Sequence, residues 1–199
     1  MSSKIIKYLP EGALEIVIQW FRKYNFHLRI SKPRRTKLGD YRPSTKQHPH
    51  RISVNGDLNK YHFLITLTHE VAHLITWEKY GRSALPHGVE WKLNYAQLLE
   101  EILQKVDFPK DLHAALMQHK SKPKATSCSD SDLLLNLRVY DENQEKTTLD
   151  ELEEGDHFLL YGKRKFRKGR LRRTRYVCTE MSSGKAYLIH ESAEVEKYS

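Results

Sequence analysis

Hydrophobic positions change period several times along the chain, and each change marks a predicted element. In PEGALEIVIQWFRKY, residues 10–24, Leu14, Val17, Ile18, Phe21 and Tyr24 recur at helical spacing, with Pro10 and Glu11 suited to a first turn. The stretches FHLRIS and RISVN alternate instead, Leu28 with Ile30 and Ile52 with Val54, which predicts strands. Between them KPRRTKLGDYRPSTKQHPH is polar and broken by prolines and a glycine, with room for a short strand around Lys37–Arg42. A second helix is expected after NGD, with Asp57 or Asn59 as N-cap, ending at Tyr80 before Gly81. A third spans about Gly88 to Val106, where Trp91, Tyr95, Leu98, Leu99 and Ile102 keep helical spacing, and DLHAALMQH predicts a short fourth. KSKPKATSCSDSD has the composition of a linker. Beyond it LLLNLRVYD, DHFLLYG, LRRTRYVCTE and KAYLIHE are short β-type runs, separated by turn residues at Gly155–Asp156, Gly169 and Ser183–Gly184. Together these elements predict an α+β protein. Residues 1–120 form a compact domain of helices plus a small sheet, 121–132 a linker, and 133–199 a small antiparallel β unit.

Composition sharpens this picture. A chain of 199 residues, 39% hydrophobic, can bury one good core with a small second unit. It contains no apolar run of 18 residues and its first residues, MSSKIIKYLPEG, lack a signal-peptide pattern, so no membrane partner and a cytoplasmic location, the nucleoid included, are expected. The two cysteines, Cys128 and Cys178, are too few for a disulfide framework or a four-thiolate zinc site, and both are read as free thiols. The formal charge of +9 favours a polyanionic partner. That charge is concentrated at the ends: residues 1–60 carry 13 Lys and Arg against 4 Asp and Glu, and residues 157–199 carry 11 against 4.

The second predicted helix contains THEVAHLITW, residues 68–77. Residues four apart share a helix face, so His69 and His73 can offer two imidazoles to one metal ion. Phe63, Leu64, Leu67, Val71, Leu74 and Ile75 form an apolar stripe nearly opposite them, which predicts a helix that buries one side and presents the histidines to a cleft. Glu70 lies one residue from His69, beside such an ion and not on it, where a general base for an attacking water belongs. The bland alternative is two surface histidines with a glutamate between them. A third candidate ligand, His87 in PHGVEW, argues against it, because three protein ligands and one open position are what a catalytic zinc needs. His48, His50 and His62 are read as exposed polar residues.

HExxH, thirteen intervening residues and then HGxxW leading into an apolar helix resembles the SprT-like zinc metallopeptidases, a family that includes the Spartan proteases of DNA–protein crosslink repair. The resemblance covers about residues 5–118 and rests most on His69, Glu70, His73, His87, Gly88 and Trp91. It implies a zincin-like domain, one catalytic zinc ion held by His69, His73 and His87, Glu70 as catalytic base, and hydrolysis of peptide bonds in a protein substrate. Tyr80, Tyr95 and His113 are available as helpers for the oxyanion, although each is more simply structural or exposed, and Trp91 and Tyr95 read as helix core.

From Tyr161 to Tyr176 nine of sixteen residues are basic: Lys163, Arg164, Lys165, Arg167, Lys168, Arg170, Arg172, Arg173 and Arg175. On a small sheet such a patch would neutralise phosphates, with Phe166 or Tyr176 placed to stack on unpaired bases, so DNA, including single-stranded regions, is the expected partner. A charged, solvated edge strand is the plain alternative. Family members often carry a cysteine-rich zinc ribbon here, and this chain departs from that pattern because Cys178 has no CxxC partner. These features point to a zinc protease acting on DNA-associated or DNA-crosslinked proteins. The alternatives are a nucleic-acid-binding protein with a non-catalytic zinc site and a general intracellular peptidase without DNA dependence.

Overall fold

The computed structural model describes residues 2–34, 37–124, 130–141, 147–160 and 162–198. Two compact units divide the chain, Met1–Glu142 and Asn143–Ser199.

In the first unit a short helix α1 (Ser2–Ile5) and a 3-10 turn precede α2 (Ala13–Tyr24). α2 buries Ala13, Ile16, Val17 and Trp20, while Leu14, Phe21 and Tyr24 are partly buried and Ile18 lies at the margin. The buried stripe is thus rotated from the one expected, because the large Trp20 ring goes inward and its indole N–H donates to Glu101 at 3.3 Å. β1 (Phe26–Ser31) and β3 (His50–Asn55) pair in parallel, and β2 (Gly39–Arg42) lies antiparallel on the other side of β3. The order β1-β3-β2 leaves β2, the short strand expected within the proline-broken segment, at an edge.

α3 (Lys60–Tyr80) begins where the Asn59 side chain accepts from the His62 N–H at 2.9 Å, and stops at Gly81, whose φ of 56° few other residues adopt. The sequence pattern predicted one buried side; the structure buries α3 almost all round. Thr66, Thr68, Glu70, Ala72 and Thr76 are as enclosed as the apolar stripe, because β2 and β3 pack against the helix as does α4 (Val89–Lys105). Two histidines expected at the surface are likewise buried. His62 is enclosed on α3, where burial first and Arg138 second lower its pKa to about 4. His50 opens β3 and accepts at Nδ1 from the Ser44 N–H (3.2 Å), so the Tyr41 hydroxyl, 2.8 Å from the same nitrogen, donates to it. His48 is exposed, as expected.

α5 (Lys110–Ser121) and α6 (Ser131–Arg138) complete this unit. α6 corrects the expectation of a strand in LLLNLRVYD, and with it the placing of residues 133–142 in the second unit. Leu133 and Leu137, four apart, enter the first core, and the Asn59 amide donates to Leu137 O (2.8 Å) and Asp141 Oδ1 (2.6 Å), tying the end of α6 to the start of α3. The division therefore falls after Glu142 and not in the predicted 121–132 linker. Cys128 in that stretch lies outside the described residues.

The second unit is an antiparallel sheet of β4 (His157–Leu160), β5 (Arg164–Arg167), β6 (Leu171–Arg172), β7 (Arg175–Glu180), β8 (Ala186–His190) and β9 (Val195–Lys197), in the order β6-β7-β5-β4-β9 with β8 also on β7. One face carries Phe158, Phe166, Cys178 and Ile189 into a core closed by Leu149, Leu152 and Val195. Cys178 is a buried free thiol, as expected. The tight turn of the basic hairpin lies at Arg173, which has a φ of 60°, and not at Gly169. Gly169 sits in the bend between β5 and β6, where an added Cβ would stand 2.3 Å from Val177 O, so the chain passes this close beside β7 only because no side chain intervenes.

Candidate metal centre and basic sheet

α3 places His69 and His73 one turn apart, and the third imidazole arrives from the turn Leu85–Gly88. The Gly88 N–H donates to Leu85 O at 2.9 Å, with Pro86 second and His87 third in the turn. His87 has a φ of 59°, the mark of a type II turn at that position, which costs a residue with a Cβ roughly 1–2 kcal/mol. That strain turns the ring back toward α3. Trp91, fully buried in the first turns of α4, packs against all three rings, with centroids 4.7 Å from His69, 5.3 Å from His73 and 4.7 Å from His87. Tyr95 lies behind His69 at 5.6 Å. Both aromatics are core, as their helical spacing predicted.

The three Nε2 atoms converge to 3.1 Å (His69–His73), 3.0 Å (His73–His87) and 3.2 Å (His69–His87). Burial, followed by the neighbouring imidazoles, depresses the pKa of His69 to about 2 and that of His73 to about 4. Burial, and then Lys92, lowers that of His87. All three rings are therefore neutral at pH 7, and each has one N–H. Three such nitrogens cannot satisfy one another in a triangle: in every tautomer at least one pair sets lone pair against lone pair or N–H against N–H, a conflict that three lone pairs around a cation would remove. Tetrahedral zinc with bonds of about 2.0–2.1 Å separates its ligand nitrogens by about 3.3 Å, so the donor set fits such an ion. Among the described residues this is the cluster of His, Cys, Asp or Glu arranged to hold a metal.

Glu70 faces β2, between the metal helix and the edge strand. Burial above all, then Asp40, raises its pKa to about 8, against the pull of Arg34, Lys37 and the Tyr41 backbone amide. A divalent cation held by the imidazoles would add an opposite charge and favour the carboxylate form. β2 thereby contributes residues that periodicity did not nominate. Tyr41 lies parallel to the His73 ring, 6.5 Å between centroids, and Gly39 passes directly over Glu70. The one signal for them is a glycine inside a four-residue strand. Of the residues considered as oxyanion helpers, Tyr80 and His113 are exposed and Tyr95 is buried behind His69.

A sequence model of the SprT-like family matches residues 11–114, just over half of the chain. The chain belongs to the SprT-like family. No curated protein and no solved structure matches it. The matched span of this SprT-like chain holds the three histidines, Glu70 and all of β1–β3; the basic sheet lies beyond it.

On that sheet the nine basic residues separate by register. Lys168 is buried, its ammonium donating to Leu152 O and to Asp150 O (3.3 Å) and sitting 3.9 Å above the Tyr176 ring. Arg164 donates to Glu180 at 2.6 Å and covers the Phe166 and Tyr187 rings. Lys168 is thus engaged inside the unit, which corrects its nomination as a phosphate contact, whereas Arg164 remains exposed beside Glu180. Phe166 is fully buried and cannot stack on a base, and Tyr176 is half-buried beneath Lys168. By contrast Lys163, Lys165, Arg167, Arg170, Arg172, Arg173 and Arg175 are exposed and have no ion pair among the described residues. Lys168→Ala is expected to destabilise the second unit by about 2–4 kcal/mol in denaturant unfolding, since two buried carbonyls lose their donor. Arg172→Ala should change stability by less than about 0.5 kcal/mol.

Proposed function

We propose that this SprT-like chain is a zinc-dependent metallopeptidase that hydrolyses peptide bonds in proteins held on nucleic acid. The hydrolytic half rests on three neutral imidazoles converging within hydrogen-bond distance of one another, with a buried carboxylate on the adjacent helix position. When bound, zinc would activate water and polarise the scissile carbonyl. His69 and His73 would hold the ion from one helix, and His87, partly buried like them, would supply the third nitrogen. Glu70 takes the proton of the attacking water and returns it to the leaving amine. β2 pairs with β3 along one edge, and its other edge is unpaired among the described residues, which suits an extended peptide added as a further strand. A purely structural metal site would have no use for a carboxylate buried at a desolvation cost beside its ligands, which favours catalysis over a non-catalytic role.

Register and charge support the nucleic-acid half. Arg172 stands directly opposite Arg175 on β6 and β7, on the face that also carries Arg167 opposite Thr179, with Lys165 beside them on β5. Like charges placed opposite one another destabilise a sheet, so this arrangement suits a phosphate backbone that neutralises them. Replacing Arg172 and Arg175 together by Ala should flatten the slope of log K against log salt by roughly 1.5, about 0.7–0.9 for each phosphate no longer neutralised. An unchanged slope would remove this face as the binding surface.

Cleavage of a DNA-binding test protein by the zinc-loaded chain, with and without single-stranded DNA and with Glu70→Gln as blank, tests both halves. Cleavage requiring DNA and Glu70 is the expected result. Glu70-dependent cleavage indifferent to DNA would leave a general peptidase, and DNA binding without any cleavage would leave a binding protein with a non-catalytic metal site.

A further inference from the structure

We propose that Gly39, on the edge strand β2, is a positioning residue for Glu70. Its absent side chain creates the space in which the carboxyl group is held. A Cβ at position 39 would stand 2.3 Å from Glu70 Oε1 and 2.8 Å from both Cδ and Cγ, well inside van der Waals contact. Gly39 does not have the positive φ that marks Gly12, Gly81, Gly155, Gly162 and Gly184, so alanine fits its backbone conformation. The requirement at this position is for space alone, and the occupant of that space is Glu70.

The strand cannot retreat to make room. Immediately before Gly39, Leu38 O accepts from the Asn55 N–H (2.9 Å) and from Arg34 Nη2 (3.2 Å). Arg34 is itself fixed by Asn55 Oδ1 (2.8 Å) and Ser53 Oγ (2.9 Å). Immediately after it, Asp40 pairs with Lys37 (2.7 Å) and Arg42 (3.1 Å), and the Tyr41 hydroxyl donates to His50. From Gly39 to Arg42 the strand is also paired in register with β3. On the other side Glu70 belongs to a helix packed on all sides, and the clash reaches its Cγ, so a small swing of the carboxylate end does not relieve it. A methyl group at position 39 therefore forces Glu70 into another rotamer, away from the place it occupies against the strand. Displacing a reacting group by about 1 Å costs on the order of 100-fold in rate.

The kinetic half of this proposal rests on the peptidase reading; the packing half does not. The test therefore uses the full-length chain as wild type, Gly39→Ala, Glu70→Ala and the double variant, with Glu70→Gln in the kinetic series. Zinc-loaded Gly39→Ala is expected to keep one zinc per chain and a KM within about 2-fold of wild type, while kcat falls about 100-fold or more. Added to Glu70→Gln, the same change should lower the residual rate no further, because the group it misplaces no longer functions. In thermal unfolding of the metal-free proteins Gly39→Ala should lower the midpoint in the wild-type background and leave it unchanged in the Glu70→Ala background. Wild-type kcat in Gly39→Ala, or an equal loss of midpoint in both backgrounds, would overturn the proposal. Should Gly39→Ala fail to fold, folding of the double variant would support it and failure of both would overturn it. If wild type itself is inactive, the peptidase reading falls, and the thermal comparison still decides whether position 39 is reserved for Glu70.

Discussion

Glu70→Gln is expected to bind zinc as wild type does and to cleave peptide bonds about 10²–10⁴-fold more slowly. The amide has nearly the shape of the carboxylate, so the packing against Gly39 and the approach of the Tyr41 amide survive. His69, His73 and His87 are untouched and keep their neutral, convergent nitrogens. The lost property is the ability to accept a proton and give it back, and the loss should therefore fall on kcat with little change in KM. Glu70→Ala should bring a similar kinetic loss and in addition leave a cavity between α3 and β2. Zinc content by metal analysis, together with cleavage kinetics, checks both. Equal cleavage by the Gln variant would remove Glu70 from the mechanism, and a variant without zinc would show that Glu70 supports the ligands.

How much of this site can be read from the chain depends on whether its parts are local. His69, Glu70 and His73 follow from helical geometry over five residues, and His87 from a short return after Gly81. The contribution of β2 is not local. Gly39 and Tyr41 reach the site through pairing with β3, whose residues Val54 and Ile52 lie 15 and 11 positions away. The surrounding segment, rich in Lys, Arg and Pro, has no periodicity to announce that pairing. The polar side of α3 is illegible for the same reason: Thr66, Thr68 and Thr76 look like surface residues until β2, β3 and α4 cover them. LLLNLRVY is an apolar run too short to distinguish strand from helix, and the contacts that settle it as α6 come from Asn59 and the first core. In the basic hairpin, nine charges look equivalent in sequence. Alternation along a bent strand buries Lys168, sets the exposed Arg164 beside Glu180 and leaves the others without an ion pair among the described residues, and nothing local marks the bend at Gly169 as one. The outline of helices, strands and candidate metal ligands is thus carried by short-range pattern, while the groups that surround the carboxylate are assembled by tertiary pairing.

Without metal, stability is expected to peak near neutral pH and to fall on both sides, and zinc is expected to flatten the alkaline limb while leaving the acid limb at least as steep. On the acid side His62, His69 and His73 have folded pKa values of about 4, 2 and 4 against an ordinary 6.5. Depressed folded values mean that the unfolded chain takes up protons first. The contribution of these residues is present above about pH 6.5 and is lost as pH falls toward the folded values. Glu70 has the opposite sign. With a pKa raised from 4.5 to about 8, it contributes most below pH 4.5 and loses that contribution as pH rises through 8. Near pH 5 the unfolded chain therefore holds about two more protons than the folded one, a slope of roughly 2.7 kcal/mol per pH unit. Between pH 7 and 8 Glu70 dominates, and the slope reverses at no more than about 1.4 kcal/mol per pH unit. Zinc keeps protons off the three folded nitrogens but not off the unfolded chain, so the acid limb stays at least as steep, while its charge favours the Glu70 carboxylate and so flattens the alkaline limb. At a free concentration about 1,000 times its Kd it adds about 4.1 kcal/mol to folding. Unfolding midpoints measured from about pH 5 to 8, with zinc and with chelator, check this. A flat metal-free profile would mean that the histidines are not held neutral in the fold. A zinc-loaded profile parallel to the metal-free one would mean that the ion binds somewhere other than His69, His73 and His87.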